Sequence, residues 1–275
     1  MLVRLHDGTT VDAEVRGTGP TLLLPVDPTP VEGPRADELR QWGNGPALGR
    51  NLIDGLADAF RVVAFDYEGR VLAEPKPDTL TADAITADIL AVADAAGAER
   101  FAFYGYSWTA VSGLQLAART DRLTALAMGG WPPLGAPYAG MLRVTTATHE
   151  LARHPPAPRE PTGNAWADAE FTLSEPQTRQ FVTLYLSLRD FDERATLTTV
   201  TCPRLCLVGG ADTITYDERW GDVTIDLAEP VRAHRAELET LGWEVHVLEG
   251  LDHMAAMQAE RVLPILRPFL EAALL

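Results

Sequence analysis

The chain is poor in positive charge and in cysteine, and it contains no long apolar run. Its 275 residues carry 23 Lys and Arg against 39 Asp and Glu, a formal net charge of −16. A deficit of that size argues against nucleic acid as a partner, because such binding rests on phosphate neutralisation by cationic side chains. It equally disfavours docking on an anionic membrane surface. No stretch approaches the roughly 18 uninterrupted apolar residues of a membrane span. The opening Met1-Leu-Val-Arg-Leu-His-Asp-Gly8 lacks the apolar core of a signal peptide. A soluble cytoplasmic protein is the expectation. With 46% hydrophobic residues and a mean hydropathy of −0.04, the chain can bury a full core, and disorder is excluded for most of it.

The two cysteines stand in the run Cys202-Pro-Arg-Leu-Cys206. On a strand they would share a face about 13 Å apart, at roughly 3.3 Å per residue, too far for a disulfide. No His or further Cys lies nearby at metal-ligand spacing. They read as small buried hydrophobes, and neither a metal nor a cofactor is expected.

What is present alternates between strand and helix. Val3–His6 and Val11–Arg16 flank Asp7-Gly8 as an opening hairpin, and Thr21–Leu24 is a short buried strand. The stretch from Pro25 to Pro46 is dense in Pro and Gly and reads as loop. Leu48, Leu52, Ile53, Leu56 and Phe60 have helical spacing. Val62–Phe65 reads as a strand, followed by a helix capped by Thr81 and ended at Gly97. Phe101–Tyr104 and Leu123–Met128 are strands around a helix from Ala110 to Arg119. After Trp131 the alternation stops, and prolines punctuate short helices near Tyr138–His149 and Glu175–Leu188. It resumes with Leu205–Val208, a helix Glu229–Leu241, the strand Val245–Leu248, and a terminal helix Met254–Leu270 bent at Pro264. This pattern predicts an α/β fold, a mostly parallel sheet with helices on both faces and the hairpin as antiparallel edge. The core spans 1–131 and 202–275, and 132–201 is a helical cap insertion. Sites in such sheets lie beyond the carboxyl ends of the strands.

Serine is scarce, with four in the chain, and only Ser107 stands on a strand-to-helix turn, in Gly105-Tyr106-Ser107-Trp108-Thr109. Such a turn lifts the hydroxyl above the sheet at a helix N-terminus. Thr109 occupies the last position of the Gly-x-Ser-x-Gly pattern and costs space there. A serine hydroxyl needs a base to take its proton and a carboxylate to orient that base. Of the six histidines, only His253 follows a strand at its carboxyl end, in Leu251-Asp252-His253. Asp212 follows Leu205–Val208 directly in Gly209-Gly-Ala-Asp212, with Asp222 and Asp226 as alternatives. Asp66 reads as a loop-shaping carboxylate.

On Gly105-Tyr-Ser107-Trp-Thr, Gly209-Gly-Ala-Asp212 and Leu251-Asp-His253, the chain resembles the α/β-hydrolase superfamily over essentially its whole length. The resemblance implies a Ser107–His253–Asp212 triad. Members usually carry His-Gly after the third strand, whereas here the stretch is Leu24-Pro25-Val26-Asp27-Pro28. The backbone N–H of Trp108 remains as one oxyanion donor, and the other falls to Asp27, with Val26 as the alternative, since proline has no N–H. Losing one such donor costs about 10²–10³ in rate, and an inward-facing Asp27 carboxylate would oppose the developing charge. Val26, Tyr106, Trp131 and Tyr138 are expected to bind a small-molecule substrate, with Trp166, Phe171 and Tyr185 as further cap aromatics. The expected activity is hydrolysis of a carboxylic ester or lactone through an acyl-enzyme. The alternatives are a prolyl-type aminopeptidase, with Glu170 and Glu175 as amino-terminus ligands, and a non-hydrolytic binding, cyclisation or lyase role.

Overall fold

The computed structural model describes residues 1–41, 43–155 and 172–275. Trp166, Glu170 and Phe171 lie outside the described residues. Eight strands form one sheet in the order β1-β2-β4-β3-β5-β6-β7-β10. These are β1 (Leu2–Arg4), β2 (Thr10–Arg16), β3 (Thr21–Leu24), β4 (Arg61–Phe65), β5 (Phe101–Tyr106), β6 (Leu123–Gly129), β7 (Arg204–Gly209) and β10 (Trp243–Leu248). β1 and β2 pair antiparallel, β2 joins β4 antiparallel, and every other pairing in this sheet is parallel. The opening hairpin is thus the antiparallel edge.

The strands are apolar on both faces because helices cover both. Along β5, Phe101 and Phe103 join one core while Ala102 and Tyr104 join the other, the period-2 alternation of a pleated strand. Cys206 and Val208 of β7 face the first core, and Leu205 and Leu207 the second. The first core is closed by α4 (Ala82–Ala95) and α5 (Trp108–Ala117), the second by α2 (Leu48–Asp54) and α12 (Ala259–Leu274). Thr81 Oγ1 accepts from Ala84 N at 3.2 Å and so starts α4 as expected. Between β6 and β7 lie α6 (Tyr138–Arg153), α7 (Glu175–Ser187) and α8 (Glu193–Thr199). The Glu193 carboxylate accepts from Gly135 N at 2.6 Å and Ala136 N at 3.1 Å, which ties α8 to the segment entering α6.

Several expectations are corrected. Residues 25–46 are not all loop: α1 runs Pro34–Gln41, with Pro34 at the helix start, where its missing N–H costs nothing, Asp37 in the first turn and Arg40 in the last. α3 (Tyr67–Ala73) follows β4 at once because Asp66 Oδ1 accepts from Gly69 N at 2.8 Å and caps it. The expected helix 229–241 divides at His234 into α9 (Ala228–Ala233) and α10 (Arg235–Thr240). A separate hairpin of β8 (Thr213–Tyr216) and β9 (Val223–Asp226) precedes them, half-exposed and too short to show a hydrophobic period. In the terminal helix the break falls at Met257–Gln258, after α11 (His253–Ala256), and α12 continues through Pro264 and Pro268. Cys206 is buried in β7 while Cys202 lies before the strand, and both thiols are free.

Beneath the first core sits a charged network built around Lys76, the single lysine of the chain. Its ammonium lies 2.8 Å from Asp7 Oδ2 and 2.7 Å from Asp88 Oδ2, and Asp88 is fully buried. Asp88 also takes the Tyr67 hydroxyl at 2.8 Å and the His6 ring nitrogen at 2.6 Å. Burial pushes the Asp7 carboxyl up, but hydrogen bonds from Lys76 and Thr9 outweigh it and hold that group well below the usual range. The network joins the hairpin, α3, α4 and, through Gln180 accepting from Lys76 N at 3.0 Å, α7. Removing one partner of such a buried pair costs about 3–5 kcal/mol, because the other charge is stranded. Lys76→Met is therefore expected to lower the unfolding free energy by an amount of that order, read as a lower urea midpoint at unchanged slope, with part of the loss recovered in Lys76→Met/Asp88→Asn. An unchanged midpoint in the single variant contradicts this reading.

Candidate active site

Ser107 joins β5 to α5 with φ 56° and ψ −128°, a conformation an L-residue adopts only under constraint. Such backbone costs about 1–3 kcal/mol and persists only where the surroundings over-determine it. Ser107 N is fixed by Gly129 O of β6 at 2.8 Å. Gly105 allows the return of the chain over the strand, since a Cβ there would lie 2.4 Å from Thr109 O. The side chain thereby emerges at the carboxyl edge of the sheet and lines a crevice of about 510 Å³.

His253 lines the same crevice from the start of α11, where Asp252 Oδ1 caps the helix by accepting from Ala255 N at 2.8 Å. Its Nδ1 stands 2.7 Å from Asp212 Oδ2, and Asp212 is fully buried after β7. That contact assigns the proton to Nδ1 and leaves Nε2 as an acceptor. The ring is held edge-on to Tyr106 with centroids 5.1 Å apart, and the Tyr106 hydroxyl donates to His253 O at 2.8 Å. Among the described residues no hydrogen bond joins the Ser107 and His253 side chains; such contacts often tighten only around substrate. Asp226 is occupied elsewhere, accepting from Ala228 N and Glu229 N at 3.0 and 2.8 Å, and Asp222 sits in the hairpin turn at φ 50°.

The loop after β3 forms the opposite wall. Val26 N donates to Leu24 O at 2.9 Å, so its N–H is committed. Among the described residues, the N–H groups of Asp27 and of Trp108, first residue of α5, have no intramolecular acceptor. The Asp27 carboxylate folds back to accept from Thr29 N at 2.8 Å. Arg50 pins the loop by donating to Pro28 O at 2.7 Å while its guanidinium pairs with both oxygens of Glu14 at 2.8 and 2.7 Å. α2 packs so closely that a Cβ on Gly49 would lie 2.0 Å from Asp27 O.

Three carboxylates line the crevice, Asp27, Asp66 and Glu68, with Arg35 as the one Arg or Lys among its described lining residues. Burial pushes Asp66 above its ordinary value, the Gly69 N–H opposes the rise, and the Asp27 charge adds to it. Glu68 keeps a solvent-reachable edge, but the crowding walls desolvate its carboxyl and raise it against the hydrogen bond from Trp108. That bond runs from Trp108 Nε1 to Glu68 Oε2 at 3.1 Å. The indole is further held between Tyr67 and Phe181, at centroid distances of 5.9 and 5.6 Å.

A sequence model of the alpha/beta hydrolase family matches residues 39–265. The chain belongs to the alpha/beta hydrolase family. No curated protein matches it. Solved structures of similar fold include a thermophilic esterase from Thermogutta terrifontis, 20% identical, with a TM-score of 0.66 over 100% of this chain and 99% of that one. The enol-lactonase from Burkholderia xenovorans LB400 is 18% identical, with a TM-score of 0.62 over 98% and 100%. An epoxide hydrolase from Vigna radiata is 16% identical, with a TM-score of 0.59 over 99% and 98%.

Two of the aromatics singled out in the sequence lie away from the crevice. Val26, Asp27, Tyr106 and Trp108 line the crevice, whereas Trp131 and Tyr138 do not. Trp131 is 2% exposed and packs on Tyr138 and Tyr185 at 5.7 and 6.3 Å, joining β6 to α6 and α7. Tyr138 further packs on Phe191 at 6.1 Å. Both therefore serve core packing. Glu68, Met254 and Met257 line the crevice without having been singled out in the sequence; the position of Glu68 just beyond a strand end was the available signal. Among the described residues no group of three or more His, Cys, Asp or Glu side chains is placed to hold a metal ion, and no helix is long and apolar enough to cross a membrane.

The Asp212–His253 contact gives a direct expectation. Asp212→Asn presents an amide that favours the opposite ring tautomer, and turnover of an activated ester should fall about 10⁴-fold, as loss of the orienting carboxylate does elsewhere. Asp222→Asn should leave turnover unchanged. An equal loss in both variants would place the orienting carboxylate elsewhere.

Proposed function

We propose that the protein is a serine hydrolase that cleaves a carboxylic ester or lactone of a small organic substrate through an acyl-enzyme on Ser107. The observation that carries this reading is one crevice holding a serine on a strained strand-to-helix turn and a histidine whose Nδ1 is bound at 2.7 Å by a buried carboxylate. In this mechanism His253 Nε2 takes the Ser107 proton as Oγ attacks the carbonyl carbon. The resulting oxyanion is met by the N–H groups of Trp108 and Asp27. His253 then gives its proton to the leaving alkoxide, and water, activated by the same ring, releases the acid. The back-folded Asp27 carboxylate, engaged by Thr29 N, supports a donor role for the Asp27 amide in place of the usual His-Gly loop. A crevice of about 510 Å³ suits a small ligand. Val26, Leu39, Leu48, Met254 and Met257 give it apolar walls for an acyl or alkyl group. The helices within 132–201 act here as a cap over the core of 1–131 and 202–275. The esterase and enol-lactonase among the similar structures favour this class.

A second reading draws support from Asp66 and Glu68 on the crevice wall: a substrate with a cationic amine, as in the aminopeptidase alternative. Glu175, the cap carboxylate expected for that role, instead stands 3.9 Å from His149 and is absent from the crevice lining. Treatment with a fluorophosphonate should label the wild type and fail on Ser107→Ala, with short-chain esters and lactones turned over in preference to amino-terminal prolyl amides. Preference for the amides would establish the second reading. A wild type that neither labels nor hydrolyses an activated ester would leave the non-hydrolytic role.

A further inference from the structure

The family pattern closes the serine turn with a glycine, where this chain has Thr109. The difference has a structural consequence. β3 ends at Leu24, its last pairing with β5 is Leu23 to Phe103, and Pro25 has no N–H to offer. Successive residues of a parallel strand address opposite neighbours. Because Ser107 N bonds to Gly129 O of β6, the N–H and C=O of Tyr106 face the side on which β3 has already stopped. Thr109 fills that gap. Its Oγ1 accepts from Tyr106 N at 2.9 Å and donates to Tyr106 O at 2.8 Å. One hydroxyl, both donor and acceptor, satisfies the pair that a third strand would otherwise have taken. The residue is 6% exposed, so water is a poor substitute for it.

We propose that Thr109 is a positioning residue for Ser107: its side chain closes Tyr106 to Thr109 into a four-residue staple around the nucleophile and so fixes the turn at φ 56°. The effect on rate rests on the proposed nucleophilic role of Ser107, whereas the staple itself does not. Thr109 acts on Ser107 from both sides along the chain, through Tyr106 before it and the first turn of α5 after it. The glycine of the family pattern, placed here, would leave the Tyr106 groups unanswered. In this chain the threonine is therefore a working part of the turn.

The test compares Thr109→Val, which keeps the shape and loses both hydrogen bonds, with Thr109→Ser, which keeps the hydroxyl. Two quantities are read: the second-order rate of fluorophosphonate labelling together with kcat and KM on an activated ester, and hydrogen exchange at the Tyr106 amide. In Thr109→Val, labelling and kcat should fall between about tenfold and 10²-fold with KM unchanged, the loss that about an ångström of misplacement brings. Exchange at Tyr106 should rise in the same variant, and Thr109→Ser should restore both. If Thr109→Val does not fold, Thr109→Gly, the residue of the family pattern, is read in the same way. Labelling and exchange at wild-type levels in the variant lacking the hydroxyl overturn the proposal and leave the serine-hydrolase reading intact. A wild type that never labels, with Tyr106 exchange still dependent on the hydroxyl, sinks that reading and keeps the staple.

Discussion

At the carboxyl end of β5 the chain must pass from strand to helix within one residue, and Ser107 takes the whole turn at φ 56° and ψ −128°. Strain of this kind has to be held from outside. The sheet supplies one hold, through Gly129 O, and the close packing at Gly105 supplies another. The rest of the crevice is organised around the position so fixed. Trp108, next along, starts α5 with its N–H uncommitted, and its indole is clamped by Glu68, Tyr67 and Phe181. His253 and Asp212 arrive on two other strand ends, brought level with Ser107 by the parallel register of β5, β6, β7 and β10.

The clamp on Trp108 also connects the crevice to the fully buried carboxylate of Asp88. Tyr67, whose ring lies tilted against the indole, donates its hydroxyl to Asp88, which in turn holds Lys76. Gln180 and Phe181, adjacent on α7, contact the network and the indole respectively. The helices between β6 and β7 are thereby linked to the wall that carries the Trp108 amide. A buried ion pair of this sort is weak as a source of net stability but costly to break. Its place here is consistent with fixing which groups meet under the crevice.

Much of this was legible in the sequence, for identifiable reasons. β5, Ser107 and α5 could be read because an apolar run, a Gly-x-Ser and a helical period are all local signals. His253 stood out among six histidines by its address after a strand, and Asp212 over Asp222 and Asp226 by directness after β7. What was missed depends on contacts that composition hides. The density of Pro and Gly masked α1, although Pro34 sits where a helix tolerates it. Trp131 and Tyr138 looked like pocket aromatics, but nothing in a sequence says whether a ring after a strand turns outward or packs against a neighbouring helix. Lys76 meets Asp7, Asp88 and Gln180 across long stretches of chain, beyond the reach of any periodicity. Thr109 looked like a steric cost at a glycine position, because the missing strand neighbour that it replaces shows only in three dimensions.

The proposed chemistry depends on which groups would receive the charge developing beside Ser107. A crystal structure of the protein after reaction with an alkyl fluorophosphonate tests it most directly. The result predicted is phosphorus bonded to Ser107 Oγ, with the phosphoryl oxygen within hydrogen-bond distance of both the Asp27 and Trp108 amide nitrogens. An adduct whose oxygen turns away from those two amides, or a Ser107 left unmodified, would contradict it.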